Sequence, residues 1–299
     1  PQPLQIEQWL SQTVAAQGLP RSFAADKAAA AEYYNQTGDL AGTTYIDKGM
    51  FIYDGALAQI YWATREDFEH ANKLTALYWD NALPGYGSLR TGFREGDNAS
   101  VIYNQTDPAR FSPDAPGERG FIQHVLDTRG QRQDVNPATN ATIVWEDGLP
   151  FSGANAWAGI IGPLQVYHLK YGNAHLGNAP EVKLAEEIAR AGMDLQVPEN
   201  GGIRMAPAGV AQDKWYNVIS TENTAAWYAG FRMLNQVTGK TEYTRCMQAA
   251  DNYFRLAFIS EHHMFAAGMR YDAQQGWVQD RTYTTDAQLA PLLVLGPKK

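Results

Sequence analysis

Helical segments that are apolar on every face alternate along this chain with segments that are apolar on one face only, and few architectures accommodate that order. Ile52 to Ala63 is apolar nearly all round, as a helix enclosed by protein is. Glu66 to Asp80 follows, with Phe68, Ala71, Leu74, Leu77 and Tyr78 on one side and charges on the other. Ala154 to Tyr171 is apolar again, with Pro163 as a kink or break. Glu181 to Leu195 is amphipathic, Asn223 to Val237 apolar with a stop at Gly239, and Glu242 to Phe258 amphipathic. Asp286 to Leu295 closes the series, apolar up to Gly296-Pro297, and Ile6 to Ala16 and Phe23 to Tyr34 place two more helices ahead of it. An inner layer that meets protein on all sides, wrapped by an outer layer that meets water on one, generates this alternation. No heptad persists, which excludes a coiled coil. β-rich runs between the helices are too scarce for a doubly wound α/β sheet. The expected fold is all-α.

The apolar segments share a way of starting. Asp54 precedes Ala58, Glu222 precedes Ala226 and Asp286 precedes Ala290, each by four residues; Ser152 precedes Ala156 in the same register without an acid. The last two intervals suit one helical hairpin plus a loop, and the first is longer because it contains residues 82–150. Any one of these acids has an ordinary explanation. A first-turn carboxylate is stabilised by the helix dipole and the free N–H groups, and Ser220, Thr221 and Thr285 are common N-cap residues. Three acids in one register point further, because in a closed ring the inner-helix N-termini face one end and their acids converge there.

The stretches Tyr53-Asp54-Gly55-Ala56-Leu57-Ala58, Ser220-Thr221-Glu222-Asn223-Thr224 and Thr285-Asp286-Ala287-Gln288 resemble the motifs that open inner helices in bacterial (α/α)-toroid carbohydrate-active proteins of the glycoside-hydrolase type. The resemblance spans roughly residues 45–296. It implies an (α/α) toroid or barrel of helical hairpins with long loops and minor β-hairpins, formed as one catalytic domain over residues 1–299. Thr224 departs from the commoner second Asn, and Leu289 stands where an aromatic often follows. The chain is also short for six hairpins, so ring closure falls to the N-terminal helix beside the last one.

Glycoside hydrolysis needs one protonated carboxyl to donate to the leaving oxygen and a second to activate water or attack the anomeric carbon. Glu222 and Asp54 are the expected catalytic pair, with Asp286 as a third acid that binds substrate or orients water. Apolar and aromatic surroundings raise a carboxyl pKa, which suits either of the pair to the acid role. Trp145-Glu146-Asp147-Gly148 adds acids in a loop; Glu146 is a candidate there, while Asp147 reads as a turn. With 8 Trp, 16 Tyr and 11 Phe the chain is rich in flat rings that stack on sugar faces. Trp145, Trp157, Trp215 and Trp227 are candidate platforms, each also explained by core packing, and Tyr45, Tyr53, Asn223 and Gln288 are candidate hydroxyl-binding groups. A lyase or uronate epimerase on the same scaffold would recruit Tyr45, Tyr53, His124 and Arg204. A non-catalytic glycan-binding protein would keep the aromatics without gathering the acids.

Several classes fall away. The net charge of −8 opposes a nucleic-acid surface. Cys246 is the only cysteine, so no internal disulfide forms. The six His are scattered and His262-His263 point apart, so no metal site is expected, and no Walker loop, dinucleotide loop or Gly-x-Ser-x-Gly elbow is present. No cofactor is expected. No stretch reaches the ~20 apolar residues of a membrane span. Residues 82–150 and 196–219 are long connections, usually functional in a compact domain, and Phe265 to Val278 reads as a small hairpin. The chain opens Pro1-Gln2-Pro3 without Met, which fits a processed protein whose export signal is gone, so a periplasmic or secreted location is expected.

Overall fold

The computed structural model describes residues 49–82, 121–122, 125–127, 134–135, 142–143, 150–208 and 213–296, with isolated positions before residue 37. Helix dominates them. The first pair is α1 (Ile52–Thr64) and α2 (Phe68–Asn81), with β1 (Gly49–Phe51) leading in. Three short strands follow, β2 (Val125–Asp127), β3 (Asp134–Val135) and β4 (Thr142–Ile143), pairing β1 with β2 and β3 with β4 antiparallel. A long broken rod comprises α3 (Ser152–Asn155), a π-helical segment (Ala156–Ile161) and α4 (Gly162–Tyr171), and α5 (Pro180–Asp194) returns beside it. Strand β5 (Val218–Ser220) runs into α6 (Thr221–Thr238), which turns at Gly239 into α7 (Thr241–Ala257). Strands β6 (Phe258–Ile259), β7 (Met264–Phe265), β8 (Gly268–Asp272) and β9 (Gly276–Asp280) precede α8 (Thr285–Leu295).

The helix boundaries follow local chemistry. Asp67 accepts from the His70 N–H and caps α2, so that helix begins two residues after the expected Glu66. Ser220 caps α6 through the Asn223 N–H, and Thr284 caps α8 through the Ala287 N–H. Gly239, at φ 68°, ends α6 in the left-handed conformation that costs other residues most. Pro163 stands where the rod changes from π-helix to α-helix, at the second residue of α4. It brings no N–H, so a carbonyl in the turn before it has no α-helical donor, and the chain widens into the π segment at that point.

Packing assigns the helices to two sets. The apolar elements touch in sequence, α1 against α4, the π segment against α6, and α6 against α8. The amphipathic ones back them: α2 lies on α1 and α5, α5 on the π segment and α4, and α7 on α6. Small residues set these close approaches. A Cβ on Gly159 would sit 2.5 Å from the Ile188 side chain, and one on Gly192 2.2 Å from the Trp227 ring. The core between them holds Leu74, Tyr78, Leu164, Tyr167, Ile188, Trp227 and Phe231, all fully buried. Each contributes roughly 1.5–3 kcal/mol by leaving water. Cys246 is buried and its thiol is pushed up to about 11, first by desolvation and then by Glu242.

The last helix departs from the expected pattern. Helix α8 is apolar from Leu289 onward, yet only Ala287 and Pro291 are buried, while Leu289, Leu292 and Leu293 are 53%, 57% and 80% exposed. It packs on α6 and β7. Its buried inner-layer placement is therefore corrected to a half-open one. The expected helices within residues 6–34 lie outside the described residues, apart from isolated positions. The hairpin expected at Phe265 to Val278 is found as β8–β9, with β5 pairing on its other edge. No described helix is long and apolar enough to cross a membrane.

One buried amide ties the connection at 121–122 to the rod. Asn155, at 0% exposure, accepts from the Ile122 N–H at 2.7 Å and donates to the carbonyls of Ile122 and Phe151 at 2.8 and 2.9 Å. Asn155→Ala leaves buried backbone groups unpaired, at about 1–3 kcal/mol each. The variant is expected to unfold in urea with a total loss of about 3 kcal/mol, read from the midpoint at unchanged slope.

Candidate active site

The first turns of α1, α3, α6 and α8 meet at one end of the helical layer. Tyr53 is the residue on which they converge. Its hydroxyl pKa is raised by partial burial first, and then by the negative fields of Glu222, Asp54 and Asp286 in that order. Three acids from three separate helix starts, spread over 233 positions of sequence numbering from 54 to 286 inclusive, therefore share one field. Glu222 is raised as well, by desolvation first and by Asp286 second. Its side chain reaches the surface, but the carboxyl lies against enough neighbouring atoms to lose part of its hydration. Asp54 is half-buried and Asp286 exposed.

Aromatic and amide groups line the same mouth. The Trp157 ring, carried on the π segment, meets Tyr53 edge-on with centroids 5.3 Å apart. Both rings are partly open, so together they form a wall beside the acids. Asn223 lies next to Glu222, and a Cβ on Gly153 would fall 2.1 Å from its Oδ1. The first turn of α3 therefore supplies no acid; it supplies the space in which Asn223 sits. Ser152 fastens that turn by donating from Oγ to the Arg204 carbonyl at 2.6 Å and from its N–H to the Met205 carbonyl at 2.8 Å. Thr221, fully buried, donates to the Ala266 carbonyl and bonds the Tyr253 hydroxyl, which anchors the turn bearing Glu222.

Beside this mouth lies an aromatic cluster around Arg204. Its guanidinium stands 3.9 Å from the Tyr216 ring centroid and 5.1 Å from that of Trp277, and it donates to the Tyr216 carbonyl. Desolvation lowers its pKa most, against the opposing effects of Tyr216, Glu199 and Asp213. Trp215 packs edge-on against Phe151 and lies under Lys214. It is half-buried and available as a ring surface.

No protein-family model, curated protein or solved structure matches this chain.

Asp54, Glu222, Asp286, Tyr53, Trp157 and Asn223 are thus brought together from separated stretches of sequence. Two expected binding residues are corrected. Trp227 is fully buried, packed on Phe121, Phe231 and the Gly192 backbone, and cannot meet a ligand at the mouth. Gln288 spends its whole amide on Phe265, accepting from its N–H at 2.8 Å and donating to its carbonyl at 2.7 Å. It extends strand β7 as a side-chain rung and docks α8. Tyr45, His124, Trp145, Glu146 and Asp147 lie outside the described residues. Asn155 and the Tyr216–Arg204–Trp277 stack escaped sequence reading. An uncharged Asn in an otherwise apolar run was the one available signal, since such a residue is buried only when its amide is bonded.

Proposed function

We propose that the chain is a glycoside hydrolase built on an (α/α) toroid, in which the mouth formed by the inner-helix N-termini binds an oligo- or polysaccharide. The observation that carries this is the shared field of Glu222, Asp54 and Asp286 at Tyr53. In the proposed mechanism Glu222, whose pKa is raised, stays protonated longer than an ordinary carboxyl and donates to the leaving glycosidic oxygen. Asp54 takes the second role, activating water or attacking the anomeric carbon, and Asp286 orients the water or a substrate hydroxyl. Trp157 offers a ring face to the sugar, and Asn223 binds a hydroxyl. The proposal extends to a single domain over residues 1–299 in a periplasmic or secreted setting.

Tyr53 favours hydrolysis over elimination. A lyase needs a base that gives up its proton near neutral pH, and partial burial first, then the neighbouring acids, hold the Tyr53 proton in place. Arg204, the candidate neutraliser of a uronate, is already engaged by Tyr216 and Trp277.

Reducing-end release from neutral oligosaccharides tests the assignment. Wild type is expected to turn over at least one of them, and Asp54→Asn to lose about 10²-fold or more in kcat. Full activity in Asp54→Asn removes that residue from the mechanism. Binding without turnover by the wild type makes the protein a glycan receptor, and products absorbing near the ultraviolet edge make it a lyase.

A further inference from the structure

A second cleft lies away from the mouth, where α2 faces the C-terminal end of α4 and the start of α5. It encloses about 520 Å³, within the ~300–1,000 Å³ usual for a small-molecule site. Trp79, Asp80, Lys170, Asn178, Glu181 and Lys183 line it. Glu181 is the unusual member. The residue is 1% exposed, and its buried Oε2 has no hydrogen-bond partner. Its Oε1 stands 3.7 Å from Lys170 Nζ, an ion pair too long for a hydrogen bond. A buried carboxylate oxygen without a donor is costly, and native structures leave few such groups without a reason.

The lining restricts what could satisfy it. A cation would meet Lys170 and Lys183, and an anion would meet Glu181 and Asp80. A neutral ring bearing several hydroxyls suits both signs, because each hydroxyl donates to a carboxylate and accepts from an ammonium. Trp79 on the wall matches the apolar face of such a ring. The geometry points to this cleft as a carbohydrate-binding site separate from the mouth, taking a neutral sugar unit whose hydroxyl enters between Lys170 and Glu181. That hydroxyl donates to Oε2 and accepts from Nζ, giving the unpartnered oxygen its donor while Oε1 keeps its ion pair. Lys170 stands at the rim with 29% of its side chain exposed, its ammonium over the Tyr171 ring. The site depends on no reaction at the mouth.

Affinity gel electrophoresis of the full chain, in gels cast with β-glucan, xylan or galactomannan, tests this. At least one polymer is expected to retard the parent protein. Glu181→Gln, which keeps the shape, and Asn178→Ala, on an exposed turn, are each expected to weaken that binding about fivefold or more, with each variant still folded at the assay temperature as shown by a single cooperative melting transition above it. Hydrolysis of a short oligosaccharide by these two variants stays at the parent rate. The proposal is overturned if no polymer retards the parent, or if both variants bind as the parent does. If Trp157→Ala alone abolishes retardation, the cleft falls while the mouth assignment stands. Weakened binding in the cleft variants upholds the cleft even where no polymer is cleaved.

Discussion

Glu222→Gln is expected to lower kcat on the cleaved glycan by about 10²–10⁴-fold, the usual contribution of a positioned general acid. The amide keeps the size and hydrogen-bonding reach of the carboxyl but carries no transferable proton. Wild-type activity should fall as pH rises through the raised pKa of Glu222, and that limb should vanish in the residual activity of the variant. The variant's relative stability should move the opposite way. Because the folded pKa lies above the ordinary glutamate value, the folded state holds its proton more tightly than the unfolded one. The favourable contribution is complete below the unfolded pKa and is lost as pH rises through the folded one. The substituted amide does not titrate, so the variant's melting temperature should gain on the wild type across that window and hold the gain above it. A parallel pH dependence of melting in the two proteins would count against a desolvated Glu222, whatever happens to activity.

The largest stability effect is expected at Gly201. Its φ of 83° belongs to a region that L residues rarely adopt, and an added Cβ would lie 1.8 Å from the Ala249 carbonyl oxygen on α7. Left-handed backbone costs a non-Gly residue roughly 1–2 kcal/mol. The clash adds more, because backbone cannot step aside as a side chain does. Gly201→Ala must lift the turn at 197–202 off α7, straining the two bonds from Gln196 to the Gly201 and Cys246 carbonyls, both 2.9 Å. We expect a loss of about 4 kcal/mol or more, among the severe single substitutions. In a domain of this size that is a drop of about 10 °C in melting temperature. The same turn leads to Ile203, whose N–H donates to Thr224 Oγ1 in the first turn of α6. A variant melting within two or three degrees of the parent would show that the turn has slack.

Sequence reading recovers much of the helical layer because its signals are local. The stops at Gly239 and Gly296 and the cap at Ser220 depend on neighbours a few positions away, whereas the cap of α8 falls on Thr284, one residue before the expected Thr285. The shared register of Asp54, Glu222 and Asp286 is legible too, since a repeated helix start leaves a repeated pattern. What escapes is long-range. An indole reads alike whether it faces a ligand or Gly192, so sequence misplaces Trp227. Gln288 looks available because its partner, Phe265, lies 23 residues away. Helix α8 reads as enclosed because Leu289, Leu292 and Leu293 are apolar, and apolarity says what a face prefers to meet rather than what it does meet. The π segment leaves only Pro163 as a hint, and a widened turn has no composition of its own.

That widened turn also divides the long rod into two parts that need not change together. In a regular helix each added or removed residue rotates everything beyond it by about 100°. At Ala156–Ile161 the chain already carries such an offset, placed between a short stem at the mouth and α4, with Gly159 inside it set against Ile188 of α5. A lineage could gain or lose a residue there and re-aim Trp157 while the core contacts of Leu164 and Tyr167 stayed in register. The rod thus has a built-in vernier, through which substrate fit could drift without the scaffold being redrawn.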